Sequence, residues 1–336
     1  MVNPSKNGSA HRESFNDAPR GAGPQAPLTR NRLANVVTGR IVRPWTMVLY
    51  GTDGVGKSSF AAGAPAPIFI GAEEGTDQLD VARMPKVHSW TDILESVDEL
   101  TTDTRHSYKT LVLDTANWAE PLLWAHLCRI HGKADIEDFG YMKGYAAALG
   151  GWRELLKKFE RARERGMNIC VLSHSVVGTF KNPAADSDFD RYELALCKIK
   201  GGDAAGLLRQ WAECVLFASY ETFTKKVGGR AKGMGGGARV LYTERRATWD
   251  AKNRYNLPDE LPLDFQAFAE AVEEQRPADP ALLKTRITEM LTQVTEPVIG
   301  KVHAALAIAG DNPVELKRIV NKLSATIYQN AVPTEG

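Results

Sequence analysis

The sequence predicts an α/β protein in which a mostly parallel sheet is flanked by helices and followed by a small helical C-terminal region. Three observations predict it. Between about Val36 and Val272, short β-rich runs alternate with helical stretches, the pattern of strands joined by crossover helices. A glycine-rich segment follows the first run directly and opens a helical stretch. Beyond the proline-containing break "EEQRPADPALL" the chain reads as helix only.

Composition sets the boundaries. Residues 1–35 are rich in Asn, Ser, Gly, Pro and Arg, have no sustained apolar period, and read as a disordered arm. Residues 36–275 form the expected core and 276–336 the helical subdomain. The 336 residues are 43% apolar and 25% charged, ordinary values for a globular chain that can bury a real core. No apolar run is long enough to span a bilayer and the N-terminus lacks a hydrophobic signal region, so a cytoplasmic location without a membrane partner is expected. A net charge of +1 excludes a uniformly basic coat, and any nucleic-acid contact must come from local patches. Cys128, Cys170, Cys197 and Cys214 lack metal-type spacing and read as reduced core thiols.

In chain order, the strands are "TMVLY", "PIFIGA", "KTLVLD", "NICVLSH", "ECVLFASYETF" and "ARVLYTER". Each is a short apolar and β-branched run bounded by turn residues. Between the third and fourth, "GYAAALGGWRELLKKFERARERG" spaces Leu, Trp and Phe at helical intervals with charge on the other face, a crossover helix. The glycine-dense "TKKVGGRAKGMGGGARV", carrying Lys225, Lys226, Arg230 and Lys232, reads as a mobile hairpin loop.

The strongest chemical signal is Gly51-Thr52-Asp53-Gly54-Val55-Gly56-Lys57-Ser58, followed by Ser59. It fits G-x-x-x-x-G-K-[ST] in the strand-to-helix context that the motif requires. Its glycines let backbone N–H groups turn inward around a phosphate, aided by the following helix N-terminus. Lys57 is expected to neutralise the β- and γ-oxygens of ATP, and Ser58 to ligate Mg²⁺. A magnesium nucleotide also needs an acid at the end of a neighbouring strand, and "KTLVLD" supplies Asp114. Hydrolysis also needs a group that prepares the attacking water. Glu73 and Glu74, just beyond "PIFIGA", are both candidates, with a solvated acidic loop as the rival reading.

The order of phosphate loop, strand ending in "IGAEE", strand ending in Asp114 and strand ending in "LSHS" resembles the RecA-like ATPase core. The resemblance places the catalytic glutamate on Glu73, because Asp114 is followed by Thr115 and the acid pair of AAA+ ATPases is absent. It assigns His174 to sensing the γ-phosphate and makes the segment after it a DNA-binding loop. Phe180, Lys181, Arg191, Tyr192, Lys198 and Lys200 would offer charge and stacking there, diluted by Asp186, Asp188 and Asp190. Lys252-Asn253-Arg254-Tyr255 resembles the KNRFG signature of RadA-type ATPases, with Asn256 in place of the glycine. By that likeness Lys252 and Arg254 reach the nucleotide of an adjacent subunit.

Together these segments, from about Pro44 to Phe265, look most like phage-encoded RecA-like ATPases of the Sak group of single-strand annealing proteins. The resemblance implies a DNA-stimulated ATPase that works on single-stranded DNA with a single-strand binding protein. It implies a homo-oligomer, ring or filament, with nucleotide at subunit interfaces, in the host cytoplasm. A hexameric helicase or translocase, and a nucleotide-gated adaptor or loader, use the same core and stand as alternatives.

Overall fold

The computed structural model describes residues 32–38, 41–181, 187–199, 202–227, 230–275 and 280–331. Met1–Arg40 and Ile41–Gly336 form two contact units. The first contains a 3-10 turn at Arg32–Asn35; most of the expected arm lies outside the described residues.

β1 (Thr46–Gly51) runs into the glycine-rich loop and a short α1 (Lys57–Ala62). β2 (Pro67–Gly71) and β3 (Ala82–Arg83) precede α2 (Trp90–Thr102), which opens on a capping box made by Ser89 and Asp92. β4 (Thr110–Asp114), α3 (Ala116–His131), α4 (Lys143–Glu164) and β5 (Asn168–Phe180) follow. β6 (Phe189–Leu194) folds back antiparallel on the end of β5. The small β7 (Lys198–Ile199) and β8 (Gly202–Asp203) lead to α5 (Ala204–Trp211). β9 (Cys214–Val227) and β10 (Arg230–Tyr242) form a long hairpin. β11 (Lys252–Asn253), β12 (Glu260–Pro262) and α6 (Phe265–Gln275) complete the core. α7 (Pro280–Leu291), α8 (Glu296–Ala309) and α9 (Pro313–Ala331) pack together around Ile287, Val302 and Leu316.

The sheet order is β12-β10-β9-β1-β5-β4-β2-β3. From β9 to β3 all neighbours run parallel. β5 therefore sits between the phosphate-loop strand and the strand ending in Asp114. Its strands are buried on both faces, which is why they read as continuous apolar runs rather than as alternation. Val48 and Tyr50, Leu111 and Leu113, and Ile169 and Val171 face the cluster under α2, α3 and α4. Met47 and Leu49, Val112, and Cys170 and Leu172 face the opposite cluster with α6. All four cysteines are free thiols. Among the described residues no helix is long and apolar enough to cross a membrane.

Two expectations change. The glycine-dense segment is paired strand, with Lys225 opposite Lys232 and Phe223 opposite Met234. Glycine weakens a strand without forbidding it, and Thr222, Phe223, Thr224 and Val227 supply the β-branched and aromatic positions that favour pairing. The segment after His174 is not an open loop either. β5 and β6 pair from Ser175↔Leu194 to Phe180↔Phe189, which buries Arg191 and half-buries Tyr192. Arg191 is 4% exposed, bonds Asp250 at 2.9 Å, and lies over the Phe180 ring. Tyr192 stacks on Phe217. Arg191 offers no surface to DNA, Tyr192 is half-buried, Lys198 pairs with Glu193, and Lys200 and Asp186 lie outside the described residues.

The Arg191 pair makes a stability prediction. Arg191→Ala leaves Asp250 with Arg209 at 3.3 Å and the more exposed Arg245 at 3.7 Å. Breaking a buried pair costs about 3 kcal/mol at the low end, and the two remaining arginines keep the cost there. Urea unfolding of the variant should show that loss.

Candidate functional site

Strand register brings the sequence candidates to one edge. Gly51 at the end of β1 pairs with His174 in β5, and Gly71 at the end of β2 pairs with Asp114 at the end of β4. Ligands of open α/β sheets bind beyond the carboxyl ends of the strands. Here that edge carries the glycine-rich loop, Glu73, Asp114 and His174 together.

The loop has the backbone of an anion cradle. Gly54 and Gly56 have φ of 71° and 106°, the left-handed region that a side chain resists. Gly51 is fixed by a close approach, since a Cβ there would lie 2.1 Å from the Ala218 carbonyl oxygen. α1 has only six residues, so the loop amides and Lys57, more than a helix dipole, must carry an anion's charge. Lys57 is buried, and its ammonium donates to the Gly51 and Thr52 carbonyls at 3.2 and 3.1 Å. Burial pushes its pKa down, opposed by Asp53, Asp114 and Glu73. Thr52 and Val55 flank the turn, and Ser59 is exposed on α1.

Ser58 donates its hydroxyl to Asp114 Oδ2 at 2.7 Å. Burial pushes the Asp114 carboxyl up, and its other oxygen, Oδ1, is buried without a partner. Of the six such atoms among the described residues, three lie here: Thr52 Oγ1, Asp114 Oδ1 and His174 Nε2. Buried polar atoms are normally satisfied, so this concentration fits an external partner. A hydroxyl beside a carboxylate with a free oxygen suits Mg²⁺, which takes few protein ligands and keeps water and phosphate oxygens for the rest. The residues present fit the ion.

Of the two glutamates only Glu73 faces the site. Thr115, the N-cap of α3, makes no cap bond and turns its hydroxyl to Glu73 Oε2 at 3.4 Å. His174 Nε2 lies 3.4 Å from the same oxygen. Glu74 is exposed and paired with Lys86, which holds its carboxyl low. His174 is positioned twice more: its backbone N–H donates to Asn117 Oδ1 at 2.9 Å, and its Nδ1 bonds the Asp53 carboxylate. That bond holds the Asp53 carboxyl below its usual range.

The basic pair near the end of the core is divided. Lys252 donates to the carbonyls of Arg209, Gln210 and Ala212 at the C-terminal end of α5, so it caps that helix in place. Arg254 is exposed.

Sequence reasoning missed Thr115, Asn117, Tyr220 and Arg239. Thr115 and Asn117 had a weak signal, polar residues directly after a strand-end acid. Tyr220 and Arg239 had none: they reach the loop only because β9 lies beside β1, where Tyr220 donates to the Gly54 carbonyl at 3.1 Å and Arg239 to that of Val55 at 3.4 Å.

A family profile described as AAA domain matches residues 43–255. No curated protein matches the chain. Among solved structures, the chain is similar to the RadB recombinase, at 11% identity and a TM-score of 0.37 over 67% of this chain and 90% of that one. It is also similar to the flagellar accessory protein FlaH of Methanocaldococcus jannaschii, at 11% identity and 0.31 over 67% and 94%.

Proposed function

The chain belongs to the AAA domain family, and from that membership, with the resemblance of its motifs to the RecA-like Sak group, we propose that it binds and hydrolyses ATP and acts on single-stranded DNA in recombination or annealing of the phage Sak type. The observation that carries the reading is the convergence of Lys57, Ser58, Asp114, Glu73 and His174 at one sheet edge, with two buried polar atoms lacking a hydrogen bond among them, Asp114 Oδ1 and His174 Nε2, and a third on the adjoining Thr52. Despite the family's name, the carboxylate facing the site comes from beyond β2 and not from beside Asp114, which favours a RecA-like division of labour.

The chain's residues divide the work. The Gly51–Ser58 amides and Lys57 bind the phosphates. Ser58 and Asp114 would hold Mg²⁺, which when bound neutralises charge on the β- and γ-oxygens. Glu73 takes a proton from the attacking water or orients it. His174 exchanges partners as the terminal phosphate comes and goes, with Thr115 and Asp53 setting its alternatives. Arg254, and not the helix-capping Lys252, is the cation offered to the nucleotide of a neighbouring subunit in a homo-oligomer. A single-strand binding protein is the expected accessory partner.

Arg254→Ala should therefore leave fluorescent-ATP binding unchanged in a dilute chain while lowering hydrolysis by the assembled protein about 10²–10³-fold, the size of a lost transition-state donor. Loss of binding in the dilute chain would remove the trans assignment. The function itself is tested by ATP turnover with and without single-stranded DNA, alongside particle images in a nonhydrolysable analogue. Turnover stimulated by DNA in an oligomer supports it. Directional unwinding would replace it with a motor, and DNA-insensitive nucleotide-gated protein binding with an adaptor.

A further inference from the structure

The β9–β10 hairpin continues past the end of β1, beyond the last shared pair Gly51↔Ala218, into an arm. Residues 222–239 of the sequence contain five cations, Lys225, Lys226, Arg230, Lys232 and Arg239, and no Asp or Glu. In a chain of net charge +1 this is a concentrated patch. The pairing register adds a second observation. Residues opposite one another and two apart share a face, so Phe223, Lys225, Val227, Arg230, Lys232 and Met234 occupy positions of one face. The other face has Thr222, Thr224, Lys226, Ala231 and two glycines. Lys225 and Lys232 stand directly opposite in register, a like-charge pairing that an anionic partner would relieve. Cations interleaved with an aromatic on one side of a ribbon match a single-stranded polynucleotide, which offers phosphates and base faces together.

The root of the arm supplies the third observation. Tyr220 and Arg239 are cross-strand partners, and they donate to the consecutive carbonyls of Gly54 and Val55 in the phosphate loop. Between root and arm the register shifts from Gly235 to Arg239, and Gly237 has φ of 74°, a bulge that bends a strand.

We infer that this arm is a single-stranded DNA finger, gripping through the Phe223–Lys225–Arg230–Lys232 face, and that Tyr220 and Arg239 latch it to the phosphate loop so that nucleotide and DNA occupancy are linked. It rests on the DNA reading above. Linkage is reciprocal: whatever nucleotide does to the affinity for DNA, DNA does to the affinity for nucleotide.

The test is fluorescence anisotropy of labelled oligo-dT with the full chain across a salt series, with and without a nonhydrolysable ATP analogue. Lys225→Ala/Arg230→Ala/Lys232→Ala should weaken binding more than tenfold at low salt. It should also reduce the slope of log affinity against log salt by about two, from three lost contacts at ~0.7 each. Fluorescent-ATP binding should be retained, and it reports that the variant is folded. Lys226→Ala should leave the slope unchanged, where a lost phosphate contact would reduce it by ~0.7. Tyr220→Phe should keep affinity for oligo-dT without nucleotide but lose the change that the analogue produces. If wild type binds oligo-dT and the triple variant matches it, the finger is wrong while the DNA reading stands; if wild type binds none, both fall. Preference of wild type for phosphatidylserine vesicles over oligo-dT would replace the partner with a membrane. A Tyr220→Phe chain with the analogue's effect intact would overturn the latch.

Discussion

Glu73→Gln lowers ATP turnover by about 10²–10⁴-fold, the usual contribution of a positioned general base, and leaves Mg·ATP bound. The amide keeps the size of the side chain and can still meet the Thr115 hydroxyl, which now donates to Oε2 at 3.4 Å. It can no longer accept the proton of an attacking water. Binding survives because Glu73 is not part of the phosphate cradle, and removal of a negative charge beside the γ-phosphate site favours the nucleotide. Glu74→Gln is the internal comparison: that carboxylate is exposed and engaged with Lys86, so its loss should leave turnover near wild type. Equal damage from the two substitutions, measured by phosphate release, would contradict the assignment.

Lys57→Ala is expected to remove both steps. Its ammonium is a buried cation 3.1–3.2 Å from two loop carbonyls, with its pKa pushed down by burial. A charge-assisted hydrogen bond contributes about 1.5–3 kcal/mol, so nucleotide affinity should fall about 10- to 100-fold. A transition-state donor lost from the same place adds roughly 10²–10³ in kcat. The product puts kcat/KM at about 10³–10⁵ below wild type. The fold should persist, because Lys57 sits at the rim of the sheet and the substitution removes a desolvated charge. Circular dichroism alongside fluorescent-ATP titration separates loss of site from loss of structure.

The parts of the fold that could be read from sequence are those where local pattern and tertiary context agree. The runs ending at Gly51, Gly71, Asp114 and His174 are strands whose apolar positions face one or the other of two apolar layers, so apolar continuity betrayed them. Helix α3 did not show itself: Pro121 lies inside it, and proline argues against a helix unless packing overrides the lost N–H. The β9–β10 arm was hidden for the opposite reason. Its glycines signal a loop, yet cross-strand pairing with Thr and Phe positions outweighs them. Within the site, the phosphate loop and Asp114 follow from spacing alone. The choice of Glu73 over Glu74 does not, because it depends on Lys86 holding one and on Thr115 and His174 meeting the other. The inward turn of Arg191 and the capping role of Lys252 likewise arise from partners at Asp250 and on α5, distant in sequence.

The most direct test of the central claim is isothermal titration of Mg·ATP into the Glu73→Gln chain and into the same chain carrying Lys57→Ala. One nucleotide retained per chain in the first, and at least tenfold weaker retention in the second, is the predicted result. No heat of binding in the Glu73→Gln chain, with or without single-stranded DNA, would contradict a triphosphate cradle at Gly54, Gly56 and Lys57.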